Sequence, residues 1–468
     1  MELMIPLKSG KAISMYEQIY AYIKEEIRQG AMEAGMRLPS TRVLAENLNV
    51  SRSTTQMAYD QLVAEGYVEA LPNRGYFVLG MEALFEAEQE PPGTFIPKKE
   101  GEKSGTEIDF SPRGIDLTHF PYNVWRKLTR NTLVEDNKEM FLTGSPQGEP
   151  ALREAIKGYL HSARGVRCAG EQIIIGAGNE YLLMLLYQIL GTERVIAMEN
   201  PTYKQAYRVF ESLGYGIVPV GMDGLGMDIR ALRNSRADIA YVMPSHQYPT
   251  GIVMPVGRRQ ELLKWAGEKK GRYLIEDDYD SEFRYKGRPI PALQGLDKAG
   301  KVIYMGTFSK SIAPAIRVGY MVLPRPLLEI YRERLGFYAS TVSRIDQNVI
   351  YQFLTDGYYE RHLNRMRAIY KGKHDLLLGQ LRKLEDDFEI CGEHAGLHIL
   401  LANKKGRTEK WLVERAGEKG AKVYGLSSYF ISRPCDSRPG TVLLGYARLS
   451  EEEILKGAEL LQEAWKEK

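Results

Sequence analysis

Apolar residues recur at helical spacing over residues 13–29. Tyr16, Ile19, Tyr20, Ile23 and Ile27 fall on one face, and Gly30 follows as a stop. A second helix is expected after Leu38-Pro39, capped by Ser40 or Thr41 and carrying Leu44, Ala45 and Leu48 inward. Asn49-Val50 turns the chain. Ser51 then caps a third helix that runs to about Glu65 and ends at Gly66. Two runs of strand character, 67–71 and 76–79, flank the tight-turn sequence Pro72-Asn73-Arg74-Gly75. Three helices followed by a hairpin describe a small winged-helix unit.

The pattern changes at residue 81. Residues 81–89 suit a helical extension, Glu90-Pro91-Pro92-Gly93 ends it, and 98–106 is charged and small, so a linker of mixed stiffness is expected. From 107 onward helical and strand-like runs alternate, with strands expected at 173–175, 194–197, 217–220, 239–243, 273–276, 302–305 and 319–323. That is the signature of an α/β unit with a mixed, mostly parallel sheet. Around 390–450 shorter strands alternate with two helices, which suggests a separate small α+β lobe. The expected organisation is a winged helix at 1–80, a linker at 81–106 and an α/β unit at 107–468.

A chain of 468 residues is too long for one core, and 44% hydrophobic with 26% charged residues is a globular balance. No run of about 18 apolar residues offers a membrane span. The start, Met1-Glu2-Leu3-Met4-Ile5-Pro6, lacks a basic segment followed by an apolar one. Cys168, Cys391 and Cys435 lie far apart, which gives neither a disulfide framework nor a metal-binding pair. A cytoplasmic protein without a metal or a membrane partner is expected. Net charge is +3, unevenly spread. Residues 1–80 hold eight Lys/Arg against nine Asp/Glu, a net of −1, and 81–106 hold three Lys against six Glu, a net of −3, which leaves +7 for the remainder. Bulk charge therefore gives the winged helix no help as a nucleic-acid binder, and slightly favours a protein-interaction module. Position argues the other way: Arg42, Arg52 and Arg74 are expected on the docking side, with Glu65 and Glu69 toward the far end.

The chemistry-bearing stretches lie in the α/β unit. Gly306-Thr307-Phe308-Ser309-Lys310 puts a lysine behind two hydroxyl residues, with Arg317 seven places on. A Ser-Lys dipeptide alone says nothing. The other stretches change its weight, because each follows a strand: Glu276-Asp277-Asp278-Tyr279, Asn200-Pro201-Thr202-Tyr203, Pro244-Ser245-His246-Gln247-Tyr248-Pro249-Thr250-Gly251, and Gly176-Ala177-Gly178-Asn179-Glu180. Ligands of α/β sheets bind at the carboxyl ends of strands, and a glycine turn opening a helix offers free amides to a phosphate.

With these five motifs in order, residues 108–465 resemble the fold-type I pyridoxal-phosphate enzymes, the aspartate aminotransferase-like group. The resemblance implies pyridoxal 5′-phosphate as cofactor and Lys310 as its Schiff-base lysine. It implies that Asp277 faces the pyridine nitrogen, Tyr279 bonds the phenolic oxygen and Tyr203 stacks on the ring. It puts Ala177, Gly178 and Asn179 on the phosphate turn, with Thr307, Ser309 and Arg317 as further phosphate ligands. Glu276 and Asp278 are expected to be structural. Residues 13–79 resemble the GntR type of winged helix, on Leu38-Pro39-Ser40-Thr41-Arg42, Val50-Ser51-Arg52-Ser53-Thr54-Thr55 and Leu62-Val63-Ala64-Glu65-Gly66-Tyr67. That likeness implies a third helix in the major groove led by Ser51, Arg52, Ser53, Thr54 and Gln56, with Arg42 on the backbone and Arg74 at the wing.

The whole layout is similar to the MocR subfamily, transcription regulators that join these two parts. The resemblance implies double-stranded promoter DNA as partner, read as two half-sites, direct or inverted. It also implies a homodimer, domain-swapped head to tail, and a small effector: pyridoxal phosphate itself, an amine or an amino acid. Two readings stay open, a regulator that uses the cofactor as a switch and an active aminotransferase with a DNA reader attached. Departures from the enzyme pattern favour the regulator. Tyr248 stands where transaminases have asparagine, and the arginine that clamps a substrate carboxylate matches Leu443, with Arg448 nearby. Gln205 fills the place, two residues after the stacking tyrosine, where some such regulators have arginine. His246, His394 and His398 are expected to pack or hydrogen-bond rather than to hold metal.

Overall fold

The computed structural model describes residues 3–7, 13–72, 74–80, 108–285, 290–392, 395–432 and 439–466. The expected linker at 81–106, Asn73 of the hairpin turn, His394 and Cys435 lie outside the described residues. The chain divides into two compact units, residues 1–102 and 103–468.

In the first unit, α1 (Met15–Arg28), α2 (Thr41–Leu48) and α3 (Arg52–Ala64) precede an antiparallel hairpin of β1 (Val68–Leu71) and β2 (Gly75–Val78). Ser40 and Ser51 cap their helices as their sequence positions require, taking hydrogen bonds from the Val43 and Thr54 amides. The apolar stripe of α1 (Ile19, Ile23 and Ile27) closes on Leu44, Ala58, Tyr59, Leu62, Val68 and Val78, giving one small core.

The second unit is built on an eight-stranded sheet. Its strands are β3 (Ile173–Gly176), β4 (Val195–Asn200), β5 (Gly216–Asp223), β6 (Gly226–Met227), β7 (Ile239–Val242), β8 (Tyr273–Asp278), β9 (Val302–Thr307) and β10 (Gly319–Val322). Their spatial order is β3-β10-β9-β8-β7-β4-β5-β6. Neighbours are parallel except around β10, which runs against both β9 and β3, and at the short β5–β6 pair. Both faces are covered, so side chains alternate between cores: Ile303 and Met305 pack into one, Val302 and Tyr304 into those of the opposite face. The small lobe carries β11 (Phe388–Cys391), β12 (His398–Asn403), β13 (Tyr424–Gly425) and β14 (Thr441–Gly445) in the order β11-β12-β14-β13. A two-residue parallel ladder ties Ile108–Asp109 to Ala421–Lys422, so the segment that opens the second unit is held against this lobe. No described helix is long and apolar enough to cross a membrane.

Candidate functional site

One cavity of about 200 Å³ gathers the carboxyl ends of the parallel strands. Asp277 and Tyr279 arrive at the end of β8, Thr307 at the end of β9, Asn179 after β3, Tyr203 after β4, and Met243 and Tyr248 after β7. Because β10 is antiparallel, its first residues sit at the same edge: Gly319 pairs with both Thr307 and Gly176. That reversal delivers Arg317 to the cavity, at a left-handed φ of 51° that non-glycine residues seldom adopt. Ser309, Lys310 and Pro314 on the β9–β10 connection complete this wall.

Asp277 is buried at 4% exposure. Tyr241 donates a hydrogen bond to its Oδ2, and Asn179 Nδ2 donates to Oδ1 at 3.3 Å. Burial nevertheless dominates and raises its pKa to about 7. The Lys310 amine donates to the carbonyls of Arg113 at 2.9 Å and Pro112 at 3.3 Å. Burial lowers its pKa to about 8, the direction that makes a lysine nucleophilic near neutrality. Tyr279 has its hydroxyl 2.9 Å from His246 Nδ1, which is 3.0 Å from Asp280 Oδ2. Its phenol is held well above the ordinary range by burial and by Asp280.

At the β3 turn, Gly178 has a φ of +86°, and a Cβ there would meet Arg317 Nη2 at 2.5 Å. Arg317 Nη2 also binds Glu180 at 2.6 Å. The Ala177 amide donates to Thr341 at 3.0 Å, and Thr307 Oγ1 lies 2.9 Å from Ser309 Oγ. These features suit a flat phosphorylated pyridine aldehyde. A turn without room for a Cβ meets a guanidinium, the Asn179 Oδ1 is buried without a partner, a proton-seeking carboxylate sits at depth, and a low-pKa amine lies in the same cavity.

Eight of the ten cofactor residues expected from sequence line the cavity together: Asn179, Tyr203, Asp277, Tyr279, Thr307, Ser309, Lys310 and Arg317. Ala177 and Gly178 form the turn beside it. Asn179 carries its amide to Asp277. Glu276 and Asp278 are structural: Glu276 accepts the amides of Leu293 and Gln294, and Asp278 forms a buried pair with Arg164 at 2.8 Å. Leu443 is buried in the core on β14, and Arg448 binds Asp109 at 3.2 Å, so neither supplies a cation to the cavity. Sequence reading missed Pro112, Arg113, Met243 and Pro314 in the lining, and Asp280 as the partner of His246, which hydrogen-bonds as expected, behind Tyr279. Asp280 directly follows the strand-end motif Glu276–Tyr279, which was the available signal. Arg113 gave none beyond its Pro-Arg-Gly turn.

In the first unit the tip of α3 presents Arg52 and Ser53 to solvent. Ser51 is occupied as a cap, its hydroxyl 2.7 Å from both Ser53 Oγ and Thr54 Oγ1. Gln56 bonds Asp60 at 2.7 Å and Tyr76 at 3.0 Å, which ties the helix to the hairpin. Arg42 is exposed and loosely paired with Glu46 at 3.1 Å, and Arg74 lies 5.8 Å from the Phe77 ring. Arg37, which sequence reading passed over, bridges to Phe77, and its Nε would lie 3.4 Å from a Cβ on Gly75, at the root of the wing.

Residues 15–78 match the family of bacterial regulatory proteins called gntR, and residues 116–459 match aminotransferase class I and II. The uncharacterized HTH-type transcriptional regulator YdeL of Bacillus subtilis is 41% identical over 455 residues, covering 97% of each chain. The probable rhizopine catabolism regulatory protein MocR of Rhizobium meliloti is 31% identical over 485 residues, covering 99% of this chain and 96% of the relative. A crystal structure of Pyrococcus horikoshii kynurenine aminotransferase, in complex with PMP, superposes with a TM-score of 0.67 at 25% identity, over 78% of this chain and 93% of that one. Family and fold together indicate pyridoxal 5′-phosphate as the cofactor of the second unit. A gntR-type DNA reader and an aminotransferase-type unit, shared nearly end to end with regulators at 41% and 31% identity, mean that this chain belongs to the MocR subfamily of GntR-type transcription regulators.

Proposed function

We propose that the chain regulates transcription by letting the state of the Lys310 cavity, filled by pyridoxal phosphate or by an amino compound reacting there, bias how the winged helix reads a promoter. The observation that carries this reading is the convergence of a low-pKa amine, a buried carboxylate and a guanidinium on one cavity, in a chain that also holds a DNA reader. When bound, pyridoxal phosphate supplies an aldehyde that condenses with primary amines and a ring that draws electrons. Lys310 holds the cofactor through its Nζ. Asp277, proton-seeking at depth, keeps the proton at the pyridine nitrogen. With the cofactor bound, Tyr279, positioned by His246 and Asp280, would bond its phenolic oxygen, and Tyr203 would cover its ring. Ala177, Gly178, Asn179, Thr307, Ser309 and Arg317 hold the phosphate. At the other end, Arg52 reaches a base edge, Ser53 and Thr54 at the tip of α3 meet phosphate oxygens, Gln56 braces α3 against the hairpin, Ser51 sets the helix start, and Arg42 and Arg74 fix the backbone and minor groove.

The chain acts as a homodimer in the cytoplasm, with 81–106 as linker and each reader packed on the partner subunit, so that two half-sites are read at once. Leu443 in the core and Tyr248 at the cavity favour a sensor over sustained amino transfer.

The test is an absorbance titration of purified chain with pyridoxal phosphate, followed by promoter-fragment binding with and without candidate amines. A coloured adduct that vanishes in Lys310→Ala, together with a DNA affinity that changes with cofactor or amine, is the expected result. Steady conversion of an amino acid with a keto acid, at unchanged DNA affinity, would assign the chain to the enzymes instead.

A further inference from the structure

The geometry points to Arg113 as the residue that recognises a carboxylate on an amino-containing effector, in place of the missing clamp on the last strand of the small lobe. This rests on the proposed reading that the Lys310 cavity admits an amino compound. Three observations carry it. First, Arg113 lines the cavity and its own carbonyl lies 2.9 Å from Lys310 Nζ, so the arginine is anchored beside the reacting amine. Second, its guanidinium has no acidic partner among the described residues, whereas the other arginine in the lining, Arg317, is tied to Glu180 at 2.6 Å. Third, the position expected to carry the clamp, Leu443, is buried in the core, and Arg448 is held by Asp109.

The positive charge of Arg113 also bears on Lys310, Tyr203, Tyr248 and Tyr429, and the first three of these line the same cavity. A planar guanidinium fork matches a carboxylate in two parallel hydrogen bonds, and an exposed fork beside a partly apolar wall is ready to do so. The segment that carries it is fixed as well. A Cβ on Gly114 would meet the Arg448 side chain at 2.8 Å, and Asp109, four residues before Arg113, holds that same arginine. The ligand class that follows is an amino acid whose amine reaches the Lys310 position while its carboxylate reaches Arg113.

The experiment compares each amino acid with the amine that lacks only its carboxylate: L-alanine and β-alanine against ethylamine, and L-phenylalanine against phenethylamine. The cofactor-loaded full chain is titrated with each, following the absorbance of the loaded cofactor. The readout is the ratio of amine to amino-acid dissociation constants within one protein, so a general effect on the cavity cancels. The unsubstituted chain is expected to prefer at least one amino acid by about tenfold or more, the scale of a charged hydrogen-bond pair. In Arg113→Gln the ratio falls toward one, and Arg113→Lys retains part of it. An unchanged ratio in Arg113→Gln, or no preference in the unsubstituted chain, overturns the inference. No adduct at Lys310 in the unsubstituted chain overturns the parent reading as well, which separates the two failures.

Discussion

Gly178 leaves no freedom at the strand-to-helix turn. Its φ of +86° and the 2.5 Å approach of Arg317 to any Cβ mean that Gly178→Ala meets both backbone strain and a clash. The strain alone is worth about 1–3 kcal/mol. Denaturant unfolding should show that loss in the cofactor-free chain, and cofactor affinity should fall further because Arg317 must move; an unaltered midpoint would refute it. Arg164 is the second fixed point. It is 3% exposed, pairs with Asp278 and donates to Ser245 at 2.5 Å. Arg164→Leu strands a buried carboxylate, for an expected loss of about 3–5 kcal/mol in unfolding free energy. The residues whose gathering in one cavity was legible in the sequence were those beside a strand-end pattern, such as Asp277 and Lys310. Arg113 was illegible because a lone arginine in a loop looks the same whether it faces solvent or a cavity, and only the ladder of Ile108–Asp109 with Ala421–Lys422 decides which.

Helix α3 carries the DNA-reading argument at the scale of an element. Its start was legible because a serine before a polar first turn has a local physical role, and Ser51 does accept the Thr54 amide at 3.2 Å. Ser51→Ala should cost about 1 kcal/mol of stability in the first unit, read by thermal unfolding, and should weaken promoter binding through the frayed tip. Arg37 was illegible, since its place beside the wing arises from an isolated bridge to Phe77 that joins sequence-distant segments. Its exposed side chain is placed to reach phosphate. Arg37→Ala is therefore expected to weaken binding uniformly across DNA sequences and to reduce the slope of log affinity against log salt by about one. A change confined to one operator sequence would mean that Arg37 reads a base. The sheet was legible for a related reason: continuous apolar runs such as Ile173-Ile174-Ile175 can only be buried on both faces. The reversal of β10, which carries Arg317 to the site, depends on pairing that no local pattern records.

Across the second unit, buried acids set the pH response of the cofactor-free protein. Burial raises Asp277, Glu276 and Glu282 to about 7 and Glu199 to about 8. Each is ionised in the unfolded chain by about pH 5 but still protonated in the folded one, so folding takes up protons and stability falls as pH rises. Two histidines oppose this. Burial lowers His398 to about 3 and shifts His362 down, so the unfolded chain binds protons there that the folded one does not, and stability rises with pH until the unfolded histidines titrate near about 6.5. Four groups outweigh two below that point, and above it the acids act alone. Lys310, lowered to about 8, adds stability only at higher pH, between that value and its ordinary 10.5. The thermal midpoint of the cofactor-free second unit should therefore fall from about pH 5 to about pH 7.5. The transition to follow by scanning fluorimetry is the one that shifts on adding pyridoxal phosphate. Loading should flatten the slope, because a protonated pyridine beside Asp277 favours its ionised form, and Asp277→Asn should flatten it without cofactor. A midpoint that climbs through this window would mean that these carboxylates find compensating charge in the folded protein, and would remove the proton-holding role given to Asp277.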